Sequence, residues 1–164
     1  MRRTFEYLKR MDDGRPAILL AEGHADWRWT RGYVDDVAAA IARAVLDPRA
    51  AGRVYNVGEP DALTEAEWVR AIGRAAGWDG EIVVAPRERL PAHARPEDFD
   101  WRHHLHTDTS RIRRELGFAE TIDRDEALRR TIEWERANPP ERIDPAAFDY
   151  AAEDAALEEI RRGG

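Results

Sequence analysis

The sequence predicts a mixed α/β fold in which helices dominate and the sheet is incomplete. Two observations carry this. Helical segments with recognisable caps alternate with apolar runs of strand length, which is the pattern of mixed α/β packing. Only three such runs occur, at 17–21, 53–58 and 81–85, too few for a complete doubly wound domain.

Residues 1–11 read as the end of a helix, stopped by the turn Asp12-Asp13-Gly14-Arg15-Pro16. The run 17–21 (Ala-Ile-Leu-Leu-Ala) is the first strand, and 22–32 is a polar loop rich in tryptophan and arginine. A helix is expected near 37–46, with Asp35 or Asp36 capping it or favouring its positive end. Val37, Ile41 and Val45 fall on one stripe of that helix, among alanines that permit close packing. Arg53-Val54-Tyr55-Asn56-Val57-Gly58 is the strongest strand candidate, because β-branched and aromatic residues suit a pleated surface. Thr64 and Glu67 form a capping box, and the following helix buries Trp68, Val69, Ile72 and Ala75 or Ala76 before stopping at Gly77. Residues 81–85 form a third strand closed by Pro86, and 87–101 is irregular around Pro91 and Pro96. Asp108 caps a helix to Leu116 with Gly117 as its stop, and Asp123 opens another to about Ala137. Pro139-Pro140 then breaks the chain before a last helix near 150–162. The organisation is therefore a main unit over 1–138 and a proline-linked acidic helical tail over 139–164.

Composition narrows the class. The 164 residues suffice for one domain with a real core. No apolar run approaches the roughly 18 residues of a membrane span, and the basic start has no apolar segment behind it, so a soluble cytoplasmic protein is expected. With no cysteine, disulfides and thiol nucleophiles are excluded. Net charge is −7, which argues against a nucleic-acid surface. Residues 141–164 hold seven acids against three arginines, so the tail supplies −4 of that charge and the body is nearly balanced. A pocket for an anionic small molecule is compatible with such a body. The only serine, Ser110, lies at a helix start without a Gly-x-Ser-x-Gly turn.

Four segments resemble the extended short-chain dehydrogenases of the NAD-dependent epimerase/dehydratase kind, in order and spacing. They are Arg28 to Ala38 with Tyr33-Val34-Asp35-Asp36; Tyr55-Asn56-Val57-Gly58 followed by Pro60 and Leu63-Thr64; Asp108-Thr109-Ser110-Arg111 through Leu116-Gly117-Phe118; and Glu126-Ala127-Leu128 through Ile132-Glu133-Trp134. Together they span about residues 16–137. The resemblance implies the C-terminal, substrate-binding part of such an enzyme, with Tyr55 on a strand that would return to an incomplete Rossmann sheet. Residues 1–9 read like the middle of a helix, so an N-terminal cofactor half is expected in the parent protein. That parent would hold NAD or NADP and act by hydride transfer on a nucleotide-sugar-like substrate. Faces around Tyr55-Asn56-Val57 that normally pack on the cofactor half would be exposed, so self-association is expected.

The family's machinery is missing from this sequence. Its cofactor loop is Gly-x-x-Gly-x-x-Gly ahead of a helix, where backbone amides hold pyrophosphate. Here Gly73, Gly77 and Gly80 have the wrong spacing and sit where a helix ends. Its catalytic pair is Tyr-x-x-x-Lys, the lysine lowering the tyrosine's pKa for acid/base work. Lys9 is the only lysine and lies four residues beyond none of Tyr7, Tyr33, Tyr55 or Tyr150. No catalytic residue is assigned, and neither NAD nor NADP is expected to bind this chain alone.

Candidate binding residues follow from the resemblance. Family members place a loop arginine against the substrate diphosphate, where a guanidinium suits phosphate geometry. Counting back from Val34-Asp35-Asp36 sets Trp29 at that position, with Arg28 and Arg31 flanking it and Tyr33 following. Arg87 and Arg95 lie where the family carries a second phosphate arginine. Trp27, Trp29 and Trp101 are of a type that stacks on a base or sugar ring, or closes a small core. His103, His104 and His106 bring imidazoles together without a carboxylate cluster to complete a metal shell. A reading from another class is a stand-alone module that binds a small molecule or a protein partner without catalysis.

Overall fold

The computed structural model describes residues 3–163. The elements run α1 (Arg3–Asp12), β1 (Ala17–Ala21), α2 (Val34–Leu46), α3 (Glu65–Ala76), β2 (Glu81–Ala85), α4 (Ser110–Leu116), α5 (Arg124–Ala137) and α6 (Tyr150–Arg162), with four short 3₁₀ turns between them. The strands β1 and β2 pair in parallel, Ala17 opposite Glu81 through Ala21 opposite Ala85. Parallel pairing requires a crossover, here residues 22–80 with α2 and α3 inside it. The fold is thus the helix-rich, sheet-poor α/β arrangement that the sequence implies.

The continuous apolar run of β1 suits a strand covered on both faces. Ile18 and Leu20 join Leu8 and Met11 of α1, Val69 and Ile72 of α3, and Leu128 and Ile132 of α5 in the principal core. Leu19, Ala21, Ala85 and Leu90 form a smaller cluster on the other side, closed by Ile160 of α6. A third cluster unites Ala40 of α2 with Ile112 and Leu116 of α4 and Phe118. No helix among the described residues is long and apolar enough to cross a membrane.

Capping chemistry sets several boundaries. Both halves of the Thr64/Glu67 capping box form, and Gly77 ends α3 in the left-handed region at φ 76°. Asp123 accepts from the Glu126 amide at the start of α5. Asp108 accepts from the Ser110 amide at 2.8 Å, one residue outside the cap position that Thr109 takes. Gly80 is required sterically, since a Cβ there would lie 2.2 Å from the Trp78 ring and 2.6 Å from the Pro16 carbonyl oxygen. Gly80→Ala is expected to cost about 1–3 kcal/mol through this overpacking. Urea denaturation checks it, and an unchanged midpoint would contradict the packing argument.

Three expectations are corrected. Residues 53–58 are not a strand: the carbonyl of Val54 is bonded by Arg111, and Glu59 N–H reaches the carbonyl of Arg31 at 2.7 Å, but no ladder forms. A strand exists only where another edge lies beside it, and residue preference does not supply that edge. Neither Asp35 nor Asp36 caps α2, which begins at Val34 with Tyr33 in the cap position and no side-chain cap bond, though both stand in its first turn, at its positive end. Asp36 is instead buried, accepting from both the amide and hydroxyl of Thr121 at 2.8 and 3.0 Å. Two of the three stripe residues on α2 face outward: Ala40 packs inside and Val37 is half-buried, whereas Ile41 is 57% and Val45 78% exposed.

Candidate functional site

The loop that follows β1 is fixed from both flanks. On one side Trp27 Nε1 donates to the His103 carbonyl at 2.9 Å, and the Arg28 carbonyl accepts from Leu105 N–H at 2.9 Å. On the other, Glu65 N–H donates to the Trp27 carbonyl at 2.9 Å, and Ala66 N–H to the Ala25 carbonyl at 3.0 Å. Gly58 lets the next segment approach closely, since a Cβ there would meet Thr30 Cγ2 at 2.5 Å. Backbone bonds on both sides make this a rigid support for side chains.

Arg31 is the centre of the arrangement. Its guanidinium lies 5.2 Å from the Trp29 ring centroid and 4.4 Å from that of Trp68, a cation between two indole faces. Nη2 donates to Glu65 Oε2 at 2.5 Å, and Tyr7 Oη donates to Glu65 Oε1 at 2.9 Å. Glu65 opens α3, where the helix dipole favours a carboxylate. Burial lowers Arg31 from its ordinary pKa against the opposing attraction of Glu65. Burial also pushes the Tyr7 hydroxyl well above its usual range, Glu65 reinforcing it. Tyr7 therefore stays protonated as the donor to Glu65.

Trp29, Arg31 and Tyr33 open onto a cavity of about 690 Å³. Its far wall is α5, with Ala127, Leu128, Thr131 and Trp134, and Trp68 of α3 and Val34 of α2 complete the apolar lining. Three arginines border it, each held by a carboxylate. Arg31 is bound by Glu65, Arg124 donates to Glu59 at 2.6 Å, and Arg130 to Glu126 at 2.6 Å. Arg130 is raised above its ordinary pKa by the bond to Glu126, with a further bond to Tyr33.

The remaining candidates lie elsewhere. Arg28 donates to the Ala62 carbonyl at 2.7 Å beside Glu67 and does not line this cavity. Arg87 bonds the Pro96 carbonyl at 3.2 Å, while Arg95 bonds those of Leu90 and Glu88 at 2.8 and 3.1 Å, so both brace the 87–96 segment. Arg95 also borders a second cavity of about 170 Å³ with Arg10, His93 and Glu153. Trp27 stacks on Trp29 at 6.1 Å and meets Trp101 edge-on at 5.3 Å, an aromatic cluster that Phe99 extends. His104 Nδ1 accepts from Arg28 N–H at 3.2 Å, and no group of three or more metal-binding side chains gathers among the described residues. Arg124 and Arg130 were not named from sequence, and Trp68 and Trp134 were named as a helix core residue and as part of the fourth segment, not as site residues. The signal for Trp134 is its place on α5 at the helical spacing of Ala127 and Thr131.

The glycines do not suit a dinucleotide. Gly77 is the left-handed cap of α3, and Gly73 and Gly80 make room for the Trp78 ring, which a Cβ would meet at 2.8 and 2.2 Å. These positions lie at the C-terminal end of α3, where the dipole repels phosphate. These three glycines therefore do not form a dinucleotide loop.

No family model matches the chain. It is 36% identical over 128 residues to a dTDP-glucose 4,6-dehydratase of Streptomyces niveus, an alignment covering 77% of this chain and 34% of that protein. A dTDP-glucose 4,6-dehydratase of Streptomyces griseus is 33% identical over 128 residues, covering 78% and 35%. The chain thus spans about a third of the length of these curated relatives. Among solved structures, the Thermotoga maritima UDP-glucose 4-epimerase with UDP-glucose superposes with a TM-score of 0.61 at 23% identity, covering 84% of this chain and 40% of that one.

Proposed function

We propose, from the premise that this chain is a segment of an extended short-chain dehydrogenase of the epimerase/dehydratase kind, that it grips a nucleotide-sugar substrate and carries no catalytic step on its own residues. The observation that supports the grip is the convergence of Trp29, Arg31 and Tyr33, from the loop the resemblance marks, on one cavity of about 690 Å³. That size lies within the roughly 300–1,000 Å³ of small-molecule sites. The missing Tyr-x-x-x-Lys pair and the occupied glycines support the second half of the reading. The whole parent would be an oxidoreductase or isomerase using NAD or NADP in its other half, in the cytoplasm.

Calorimetry on the purified chain tests this with dTDP-glucose, UDP-glucose, NAD and NADP. One-site binding of a nucleotide-sugar and no heat with either dinucleotide is expected, and Trp29→Ala should weaken the binding at least tenfold, about 1.4 kcal/mol. Binding of NAD with no response to either nucleotide-sugar would overturn the reading.

A second reading, an association module, is favoured by one observation. Val34, Ile41, Val45 and Leu46 of α2 form an exposed apolar face, and Val54 is exposed as well. Tyr55 and Val57, by contrast, turn in and pack on the cluster of Ile112 and Leu116. Burial of the α2 face in a self-assembly would remove that surface from water. In sedimentation the chain is expected to associate, and Ile41→Glu with Val45→Glu should return it to a monomer. A wild-type monomer throughout the accessible concentration range would count against association.

A further inference from the structure

We infer that Tyr7 and Glu65 are positioning residues: they meet no ligand, and they hold the Arg31 guanidinium where it sets the indole of Trp29 against the large cavity. The inference rests on the reading of that cavity as the substrate site, and it adds two residues that lie behind it.

Neither residue borders the cavity. Glu65 opens α3 and is buried, and Tyr7 lies on α1, packed on the principal core. Their polar atoms nonetheless form a chain that ends at the cavity wall. Tyr7 Oη donates to Glu65 Oε1 at 2.9 Å, and Arg31 Nη2 donates to Glu65 Oε2 at 2.5 Å. Arg31 Nη1 in turn donates to the Trp29 carbonyl at 3.3 Å. The guanidinium then stands 5.2 Å from the Trp29 ring centroid and 4.4 Å from that of Trp68. Trp29, Arg31 and Trp68 all border the cavity, so the placement of one cation decides how two indoles face it.

Each oxygen of Glu65 serves one of the two donors, so the carboxylate cannot turn without releasing one of them. The Tyr7 hydroxyl stays protonated for this task, because burial and the neighbouring Glu65 both oppose its ionisation. Without that hydroxyl a buried oxygen has no donor, and the carboxylate is free to turn and draw the guanidinium from between the rings. Support of this kind decides how firmly the groups that do meet a ligand are held. It joins α1 to the start of α3 behind the loop that carries Trp29 and Arg31.

Calorimetry on the full chain with dTDP-glucose and UDP-glucose tests this through Tyr7→Phe, which removes the hydroxyl and keeps the ring. At a temperature where circular dichroism shows the variant folded, affinity should fall about fivefold, the scale of one lost hydrogen bond. In the Trp29→Ala background the same substitution should cost less than about twofold, because it acts through Trp29. A residue that only stabilises the fold would lower the melting temperature and leave the affinity of the folded protein unchanged. A second readout needs no ligand. The Trp29 indole N–H resonance, assigned by its loss in Trp29→Ala, should shift in Tyr7→Phe while that of Trp134 stays in place. Wild-type affinity in folded Tyr7→Phe, or an undiminished loss in the Trp29→Ala background, overturns the positioning role and leaves the nucleotide-sugar reading intact. If neither nucleotide-sugar binds the wild type, that reading fails, and the Trp29 resonance alone decides the positioning role, an unmoved signal overturning it.

Discussion

Glu65→Ala is expected to lower the unfolding free energy by about 3–5 kcal/mol, the usual cost of removing one member of a buried ion pair. The side chains of Arg31 and Glu65 are only 13% and 7% exposed, so solvent cannot replace the lost carboxylate. Three losses coincide in this variant. The guanidinium stays between Trp29 and Trp68 without a counter-ion, Tyr7 loses its acceptor, and α3 loses an acid from its first turn. The double variant Arg31→Met with Glu65→Leu should recover most of the stability, because it removes both charges and keeps the volume. Urea denaturation of the two variants checks this. A loss under about 1 kcal/mol for Glu65→Ala would mean that the pair is in effect solvated.

Glu153→Ala should be comparably severe, but local in its first effect. Glu153 sits in the tail helix α6, with its side chain 5% exposed. Arg10 donates to its Oε1 through Nε and Nη2 at 3.0 and 2.7 Å, and His93 Nε2 lies 3.1 Å from the same oxygen. Arg15 Nε is 3.9 Å from Oε2 and is buried without a hydrogen-bond partner. One tail carboxylate therefore serves three basic side chains of the body, and its loss strands buried positive charge at a cost of about 3–5 kcal/mol. Apolar support comes from Phe148, edge-on to Phe5 at 6.5 Å, from Ile160 on the small second cluster, and from the buried Ala156 and Leu157. The expected result is that α6 detaches before the rest unfolds, seen as faster proteolysis within 138–149 at temperatures where the body keeps its circular dichroism. A variant with wild-type protease resistance would show that the remaining contacts, among them Arg15–Asp154, Tyr150–Asp13 and Arg161–Glu81, hold the tail without Glu153.

What could be read from the sequence was mostly local. The Thr64/Glu67 box, the Asp123 cap, the Gly77 and Gly117 stops and the runs at 17–21 and 81–85 all depend on residues within one turn or one strand of each other. What failed depended on a distant neighbour. Residues 53–58 have strand composition, yet pairing needs an edge that composition does not describe. Asp36 looked like a cap because Thr121, its actual partner, lies 85 positions away. The site divides in the same way. Trp29, Arg31 and Tyr33 could be grouped from the sequence because they share one loop, whereas Trp68 and Trp134 border the same cavity only through the packing of α3 and α5. The ion pair of Arg31 could not be read without Glu65, 34 positions on.

The parallel pairing of β1 and β2 constrains the order in which this molecule can assemble. Their register is set across residues 22–80, so neither strand can find the other by a local turn. Closing a loop of that length costs entropy before any pair is gained. The helices α1 and α3, which bury Leu8, Met11, Val69 and Ile72 together, likewise meet only across the long segment 13–64. The two-stranded sheet and the α1–α3 packing therefore depend on the same long-range closure. A synthesising ribosome would have to deliver β2 before β1, which it made first, could become a strand.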